Sequence, residues 1–319
     1  MRSKRLRRGA GPLAAAALAC AFVTQGAFAG ADAKPCAVDD LEREVCLDAP
    51  AQRIVALSPG ATELAFAAGA GDDVVAVVEH SDYPARARKL PSVGDYSRID
   101  LEALVGLGPD LVIGWETGNP GKQLETLESL GTKVFYIEPR TVDGVAAALN
   151  RLGRLAGSED IAEQEAEAFL AGMAKLKARY AERAPVRVFY QVWDAPLMSL
   201  NDEHLIGRAI TDCGGVNVFG ERPRLVPRLD DEAVLAANPE VIITGSSDAS
   251  NGDEENARHQ WLSHWQQYSS MAAVQRESLY TVPADPLVRP TPRFLQGAQS
   301  LCERIDQARK NQPREGGSK

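Results

Sequence analysis

Asp100-Leu101-Glu102-Ala103-Leu104-Val105-Gly106-Leu107-Gly108-Pro109-Asp110-Leu111-Val112-Ile113 is matched, at an offset of 130 residues, by Asp230-Asp231-Glu232-Ala233-Val234-Leu235-Ala236-Ala237-Asn238-Pro239-Glu240-Val241-Ile242-Ile243. Each copy has one grammar: an acid placed to cap a helix, a glutamate in the first turn, and apolar residues at helical spacing. A proline turn, a second acid and a buried strand then follow. A supersecondary unit repeated once in each half predicts two lobes of the same architecture.

The surroundings of each copy carry the same alternation. In the first half, strand runs at Arg53–Leu57, Val74–Val78, Asp110–Ile113 and Lys133–Ile137 are separated by helical stretches. These begin at Ser58-Pro59, Asp100 and Lys122. In the second half, strand runs at Val186–Tyr190, Val241–Ile243 and Leu279–Val282 alternate with helices at His204–Thr211, Trp261–Tyr268 and Phe294–Ala308. Short apolar strands that alternate with helices give a mainly parallel sheet covered on both faces. Between the halves lie helices at Val142–Ala156 and Ser158–Tyr180. In the second, Ala162, Ala166, Phe169, Met173, Leu176 and Tyr180 recur every three or four residues, so one face is buried. No Gly/Ser linker lies nearby, and this helix is expected to be a rigid crosspiece. The expected organisation is a leader over 1–29, an N-terminal α/β lobe over 30–141, a linking helical segment over 142–182, a C-terminal α/β lobe over 183–309 and a disordered tail over 310–319.

The leader follows from Arg2, Lys4, Arg5, Arg7 and Arg8, then an alanine-rich apolar run ending in Ala27-Phe28-Ala29, the form of a cleavable export signal. A lipid anchor on Cys20 is an alternative reading. The formal net charge is −9 over 319 residues, and loss of the five leader bases makes the remainder more acidic. A nucleic-acid partner, which needs a basic surface, is therefore not expected. Cys36, Cys46, Cys213 and Cys302 lie after the leader, an even number that suggests disulfides in an oxidising compartment. Three pairings exist on paper: Cys36 with Cys46 would close a short N-terminal loop, and Cys213 with Cys302 would staple the last helix to its lobe. The sequence has no Gly-x-Ser-x-Gly elbow and no phosphate loop, so an enzyme is not expected. Its four histidines do not cluster as a zinc or manganese receptor requires, and no metal site or cofactor is expected.

Several stretches carry a resemblance across nearly the whole chain after the leader. They are Arg53-Ile54-Val55-Ala56-Leu57-Ser58-Pro59-Gly60-Ala61-Thr62-Glu63-Leu64, Ser81-Asp82-Tyr83-Pro84, Val93-Gly94, and Gly108 to Trp115. Cys213-Gly214-Gly215-Val216-Asn217-Val218-Phe219 and Thr291-Pro292-Arg293 continue the match. This pattern resembles the helical-backbone, class III periplasmic binding proteins of ABC importers, and among them the cobalamin (vitamin B12) receptors. The resemblance implies two Rossmann-like lobes joined by a rigid backbone helix, a periplasmic location and a monomer when free. Its partner would be a permease dimer with its ATPase subunits. It implies a Cys213–Cys302 disulfide and permease-docking roles for Glu102 and Glu232, whose helix-start positions are also explained by the dipole alone. It implies a corrinoid held between the lobes by His80, Tyr96, Trp115, Val192, Met198, Val226, Asp285 and Arg289. Trp193 would partly compensate for departures at His80, Tyr96, Val226 and Pro286, where the cobalamin receptors carry Tyr, Trp, Trp and Trp. The alternative cargo is haem, for which a Tyr or His would meet iron, or an anionic iron-siderophore drawn by Arg98, Arg140, Arg224, Arg228 and Arg289.

Overall fold

A computed structural model describes residues 34–246 and 260–312. The leader at 1–29 and the end of the tail, 313–319, lie outside the described residues. The described chain opens with an antiparallel hairpin, β1 (Cys36–Val38) and β2 (Glu44–Cys46), in which Cys36 stands opposite Cys46 and is joined to it by a disulfide. The N-terminal lobe follows: β3 (Ile54–Ala56), α1 (Pro59–Ala65), a π turn (Phe66–Ala70) and β4 (Val74–Val77). A small antiparallel pair, β5 (Gly94–Asp95) with β6 (Arg98–Ile99), was not anticipated from the sequence. The lobe continues with α2 (Leu101–Gly106), β7 (Leu111–Trp115), α3 (Gly121–Ser129) and β8 (Val134–Ile137). Two helices, α4 (Val142–Ala156) and α5 (Glu159–Tyr180), lead to the C-terminal lobe. It consists of β9 (Val186–Gln191), α6 (Leu205–Asp212), β10 (Gly215–Asn217), α7 (Asp231–Ala237), β11 (Val241–Ser246), α8 (260–265), α9 (Ala272–Gln275), β12 (Leu279–Pro283), α10 (Asp285–Val288) and α11 (Phe294–Lys310).

The two large sheets have the same topology. Their orders are β4-β3-β7-β8 and β10-β9-β11-β12, and every pairing in both is parallel. Numbered within each lobe, both read 2-1-3-4. The repeated sequence unit is therefore the second helix and third strand of each lobe, and its details recur atom by atom. Asp100 caps α2 through the Ala103 N–H at 3.0 Å, and Asp230 caps α7 through the Ala233 N–H at 2.8 Å. Gly108 and Asn238 both take positive φ before the proline turn, 57° and 41°, a conformation those two residue types tolerate best. Asp110 accepts the N–H of Arg53 at 3.0 Å, and Glu240 accepts the N–H of Arg187 at 2.9 Å. The two arginines, one just before β3 and one near the start of β9, donate side-chain hydrogen bonds to Leu107 O and Ala237 O.

Alternate strand residues face opposite sides of each sheet. Ile54, Ala56, Leu111, Ile113, Phe135 and Ile137 join Val186, Val188, Tyr190, Val241 and Ile243 in one contiguous core that also takes in α4, α5 and α11. The reverse faces pack separately, around Val55, Leu57 and Val112 in one lobe and around Phe189, Ile242 and Trp265 in the other. The crosspiece α5 buries Ala162, Ala166, Phe169, Met173, Leu176 and Tyr180, the six positions its periodicity indicates. At about 1.5 Å per residue it is about 33 Å long. It packs on α4 and the π turn at one end and on α6 and α11 at the other. A Cβ on Gly153 would stand 2.4 Å from Ala162 Cβ, so α4 and α5 close at that point only on glycine, and one on Gly172 would displace Leu295 Cδ2, 2.3 Å away. A second disulfide, Cys213–Cys302, ties the end of α6 to α11.

Candidate functional site

In a parallel sheet of order 2-1-3-4 the connections leave strands one and three in opposite directions, which opens a crevice at their carboxyl ends. A cavity of about 470 Å³ lies where those ends of the two lobes meet. That is the size of a small-molecule site. Its N-terminal wall is the turn from β3 into α1 (Ser58 to Ala61), together with His80, Tyr96, Trp115 and the segment 137–140 after β8. Its C-terminal wall is Glu203, His204, Leu205, Leu225 and the segment 287–290 that ends α10 and follows it.

His80, Tyr96, Trp115 and Arg289 therefore come together on one cavity. His80 takes φ 63°, a left-handed conformation at a loop apex. Tyr96 is 46% exposed and its ring lies 5.9 Å from that of Trp115, tilted by 51°. Val192, Trp193, Met198, Val226 and Asp285 do not wall this cavity. Val192 packs on the main core, and its N–H donates to Met198 O. Trp193 is 49% exposed and meets Trp261 edge-on at 5.7 Å. Val226 is on the surface. Asp285 is ion-paired with Arg289, 3.3 Å from Nη2.

Arg289 is less a free ligand-binding cation than the centre of a bridge between the lobes. Its Nη1 donates to Glu63 Oε1 at 2.9 Å and to Asp82 Oδ1 at 2.8 Å. Arg293 Nη1 donates to the same Glu63 oxygen at 2.9 Å, and Thr291 Oγ1 donates to Glu63 Oε2 at 2.8 Å. The Arg293 guanidinium also lies 3.9 Å over the Tyr83 ring. Burial opposes the charge on Arg289, but the Asp82 and Glu63 carboxylates outweigh it and hold its pKa above the ordinary arginine value. Burial likewise opposes ionisation of Asp82, and Arg289 overcomes it, leaving that carboxyl below its usual range. The cavity's other cation, Arg140, pairs with Glu138 at 3.2 Å. Every arginine of this wall thus already has a carboxylate partner. Arg98, Arg224 and Arg228 are not part of it.

Three contributors went unread in the sequence. Asn119 is buried; its Oδ1 accepts the Trp115 N–H at 2.7 Å, and its Nδ2 donates to Leu57 O and Tyr96 O at 2.8 and 2.9 Å. One side chain thus ties the end of β3 to the Tyr96 loop and to the Trp115 end of β7. Gly118 lets the Trp115 ring lie flat on the turn, since a Cβ there would sit 2.0 Å from Cε3. His204, expected to open α6, is instead its N-cap: Nδ1 accepts the Ile206 N–H at 3.1 Å. An Asn or Ser would have signalled a cap, and a histidine does not.

Residues 54–286 match the periplasmic binding protein family. The chain belongs to that family. It has the class III form, two α/β lobes on one long helix, and members of the family are carriers rather than enzymes. This binding protein is 36% identical over 261 residues to the vitamin B12-binding protein of Vibrio cholerae serotype O1, covering 82% of this chain and 91% of that one. It is 34% identical over 255 residues to the vitamin B12-binding protein of Yersinia pestis, covering 80% and 86%. The crystal structure of the periplasmic vitamin B12 binding protein of Vibrio cholerae superposes with a TM-score of 0.71 at 34% identity, covering 82% of this chain and 99% of that one. A periplasmic heme-binding protein from Roseiflexus superposes equally well, TM-score 0.71, but at 23% identity over 81% and 99% it shares the fold alone.

In this binding protein Glu102 and Glu232 hold equivalent places, each exposed in the first turn of the repeated helix. Neither forms an ion pair or side-chain hydrogen bond with another described residue.

Proposed function

We propose that the protein is a periplasmic receptor that captures cobalamin or a related corrinoid in the cleft and delivers it to an ABC import permease with its ATPase subunits. The observation that carries the cargo is the charge state of the cavity. Its wall is mainly apolar and aromatic, and both of its arginines are already bound to carboxylates. A corrinoid, a broad ring fringed with neutral amides, suits such a surface. An anionic siderophore would have to compete with Glu63, Asp82 and Glu138 for its cations. The relatives at 33–36% identity that are named as vitamin B12-binding proteins support the same reading. Haem is the second reading, because His80 and Tyr96 line the cavity and are residue types that ligate iron.

Calorimetry of the protein lacking residues 1–29 with cyanocobalamin, hemin and a ferric siderophore tests the cargo. One-to-one cyanocobalamin binding is expected; binding of hemin alone would move the cargo to haem. Glu102 and Glu232 would each dock on one permease subunit, and export through the leader would bring the chain to the periplasm. Reversing both charges, Glu102→Lys with Glu232→Lys, should leave ligand affinity unchanged and abolish uptake in a transport assay with the cognate permease. Unimpaired uptake in that double variant would remove the docking role.

A further inference from the structure

His204 combines three properties that together fix what it offers the cleft. Its backbone is extended, with φ −73° and ψ 143°, and its ring occupies the position a capping serine or aspartate would fill. Nδ1 accepts the Ile206 N–H at 3.1 Å, which requires that Nδ1 carry no proton. Burial depresses its pKa to about 4, so the ring is neutral near pH 7 and its single proton resides on Nε2. That Nε2–H makes no hydrogen bond with another described residue, and His204 lines the cavity.

A histidine in this state is a donor and not a metal ligand. Its Nδ1 lone pair is committed to the helix, and its Nε2 lone pair is replaced by a proton. To serve as an axial ligand it would have to move the proton to Nδ1 and give up the cap. The charges nearby decide which acceptor it suits. Glu203 and Glu138 line the same cavity, and Arg140 and Arg289 are held by carboxylates. A ligand carboxylate placed against His204 would meet Glu203 without a free cation to offset it. A neutral carbonyl oxygen has no such conflict.

We propose that His204 is a specificity-determining contact of the C-terminal lobe, donating Nε2–H to the carbonyl oxygen of a carboxamide on the ligand's periphery and leaving any metal in the ligand untouched. This rests on the corrinoid reading above. The histidine cap thereby does two jobs: it holds the start of α6 and selects amide over acid at one edge of the cleft.

The test uses the protein lacking residues 1–29 and two variants. His204→Ser keeps an N-cap oxygen and removes the ring N–H; His204→Phe keeps a ring and removes both functions. Cyanocobalamin is titrated by calorimetry, beside monocarboxylate derivatives in which one peripheral carboxamide at a time is hydrolysed to the acid. His204→Ser should keep the wild-type melting temperature at pH 7.5 and bind cyanocobalamin about five- to tenfold more weakly, the loss expected for one hydrogen bond. One monocarboxylate should bind the wild type more weakly than cyanocobalamin does, and this penalty should shrink in His204→Ser. ¹⁵N spectra of the imidazole should show the Nε2–H form in the free protein and a shifted Hε2 resonance on adding cyanocobalamin. Wild-type affinity in His204→Ser, or an Nδ1–H ring, overturns the role of His204 and leaves the receptor reading standing. Failure of the wild type to bind cyanocobalamin overturns the corrinoid reading and this inference with it.

Discussion

Trp115 owes its place in the cleft to two neighbours that do not line the cavity themselves. Gly118 is the nearest, and Gly118→Ala would force the indole off the turn, because the new Cβ would overlap it at 2.0 Å. Overpacking of this kind costs about 1–3 kcal/mol, which at this position should appear as about a tenfold loss of cyanocobalamin affinity with a changed tryptophan fluorescence. Unchanged affinity would show that Trp115 contributes nothing to binding. Asn119→Ala should lower unfolding stability by about 1–3 kcal/mol in urea, since one buried and two part-buried backbone groups lose their partner. His204 sets an acid limit. An imidazole in the unfolded chain titrates near about 6.5, and in the fold His204 does so at about 4 because burial disfavours its charge. The unfolded state therefore takes up this proton first. The stability contribution is whole above pH 6.5 and is lost as pH falls through about 4. The melting temperature of His204→Ser should accordingly fall less between pH 7 and pH 4.5 than that of the wild type.

At the scale of elements, the repeated helix–turn–strand unit is held in each lobe by the same device, an acid that accepts the N–H of an arginine at the start of the first strand while that arginine's side chain reaches the end of the repeated helix. Asp110→Ala and Glu240→Ala should each destabilise the protein by about 1 kcal/mol, and the two effects should add, because the sites share no partner. Glu240 has the larger network, pairing also with Arg276, and its loss should cost more. A urea denaturation series on the single and double variants measures both. This unit is legible in the sequence because local chemistry specifies it: caps, a proline turn and a residue that tolerates positive φ. The crosspiece was legible for the same reason, since the 3.6-residue period of its apolar positions identifies the buried face.

For the molecule as a whole, the lobes are joined by more than the crosspiece. One core runs through both, and beside the cleft Glu63 of the N-terminal lobe is buried, at 3% exposure, between Arg289, Thr291 and Arg293 of the C-terminal lobe. Glu63→Gln keeps the shape and removes the charge, leaving Arg293 without a carboxylate partner among the described residues and Arg289 with Asp82 and Asp285 alone. Breaking a buried pair in this way costs about 3–5 kcal/mol, and the discount for Arg293, which is partly exposed, brings the expected loss to about 2–3 kcal/mol. The measurement is chemical denaturation, with amide exchange on α1 and α10 to show that the lobe contact is what loosened. A loss confined to one lobe would mean that Glu63 serves only its own helix.

The sequence by itself determined the α/β class, the twofold repetition and the linking helix with its buried face, while His80, Tyr96 and Trp115 came as cleft candidates from the family resemblance. The fold features follow from periodicity, capping and turn chemistry, all of which act over a few residues. Only the tertiary structure decided which residues share the cavity and what each is free to do there. Arg289 has the residue type of a ligand-binding cation, yet carboxylates 207 and 226 residues away in sequence already bind it. His204 has the residue type of a metal ligand, yet a helix start has taken the nitrogen that would otherwise set its tautomer. Asn119 and Gly118 look like any loop residues until Trp115 and Tyr96 are placed around them. Such roles depend on desolvation and on partners brought together by folding, and neither is encoded in local pattern.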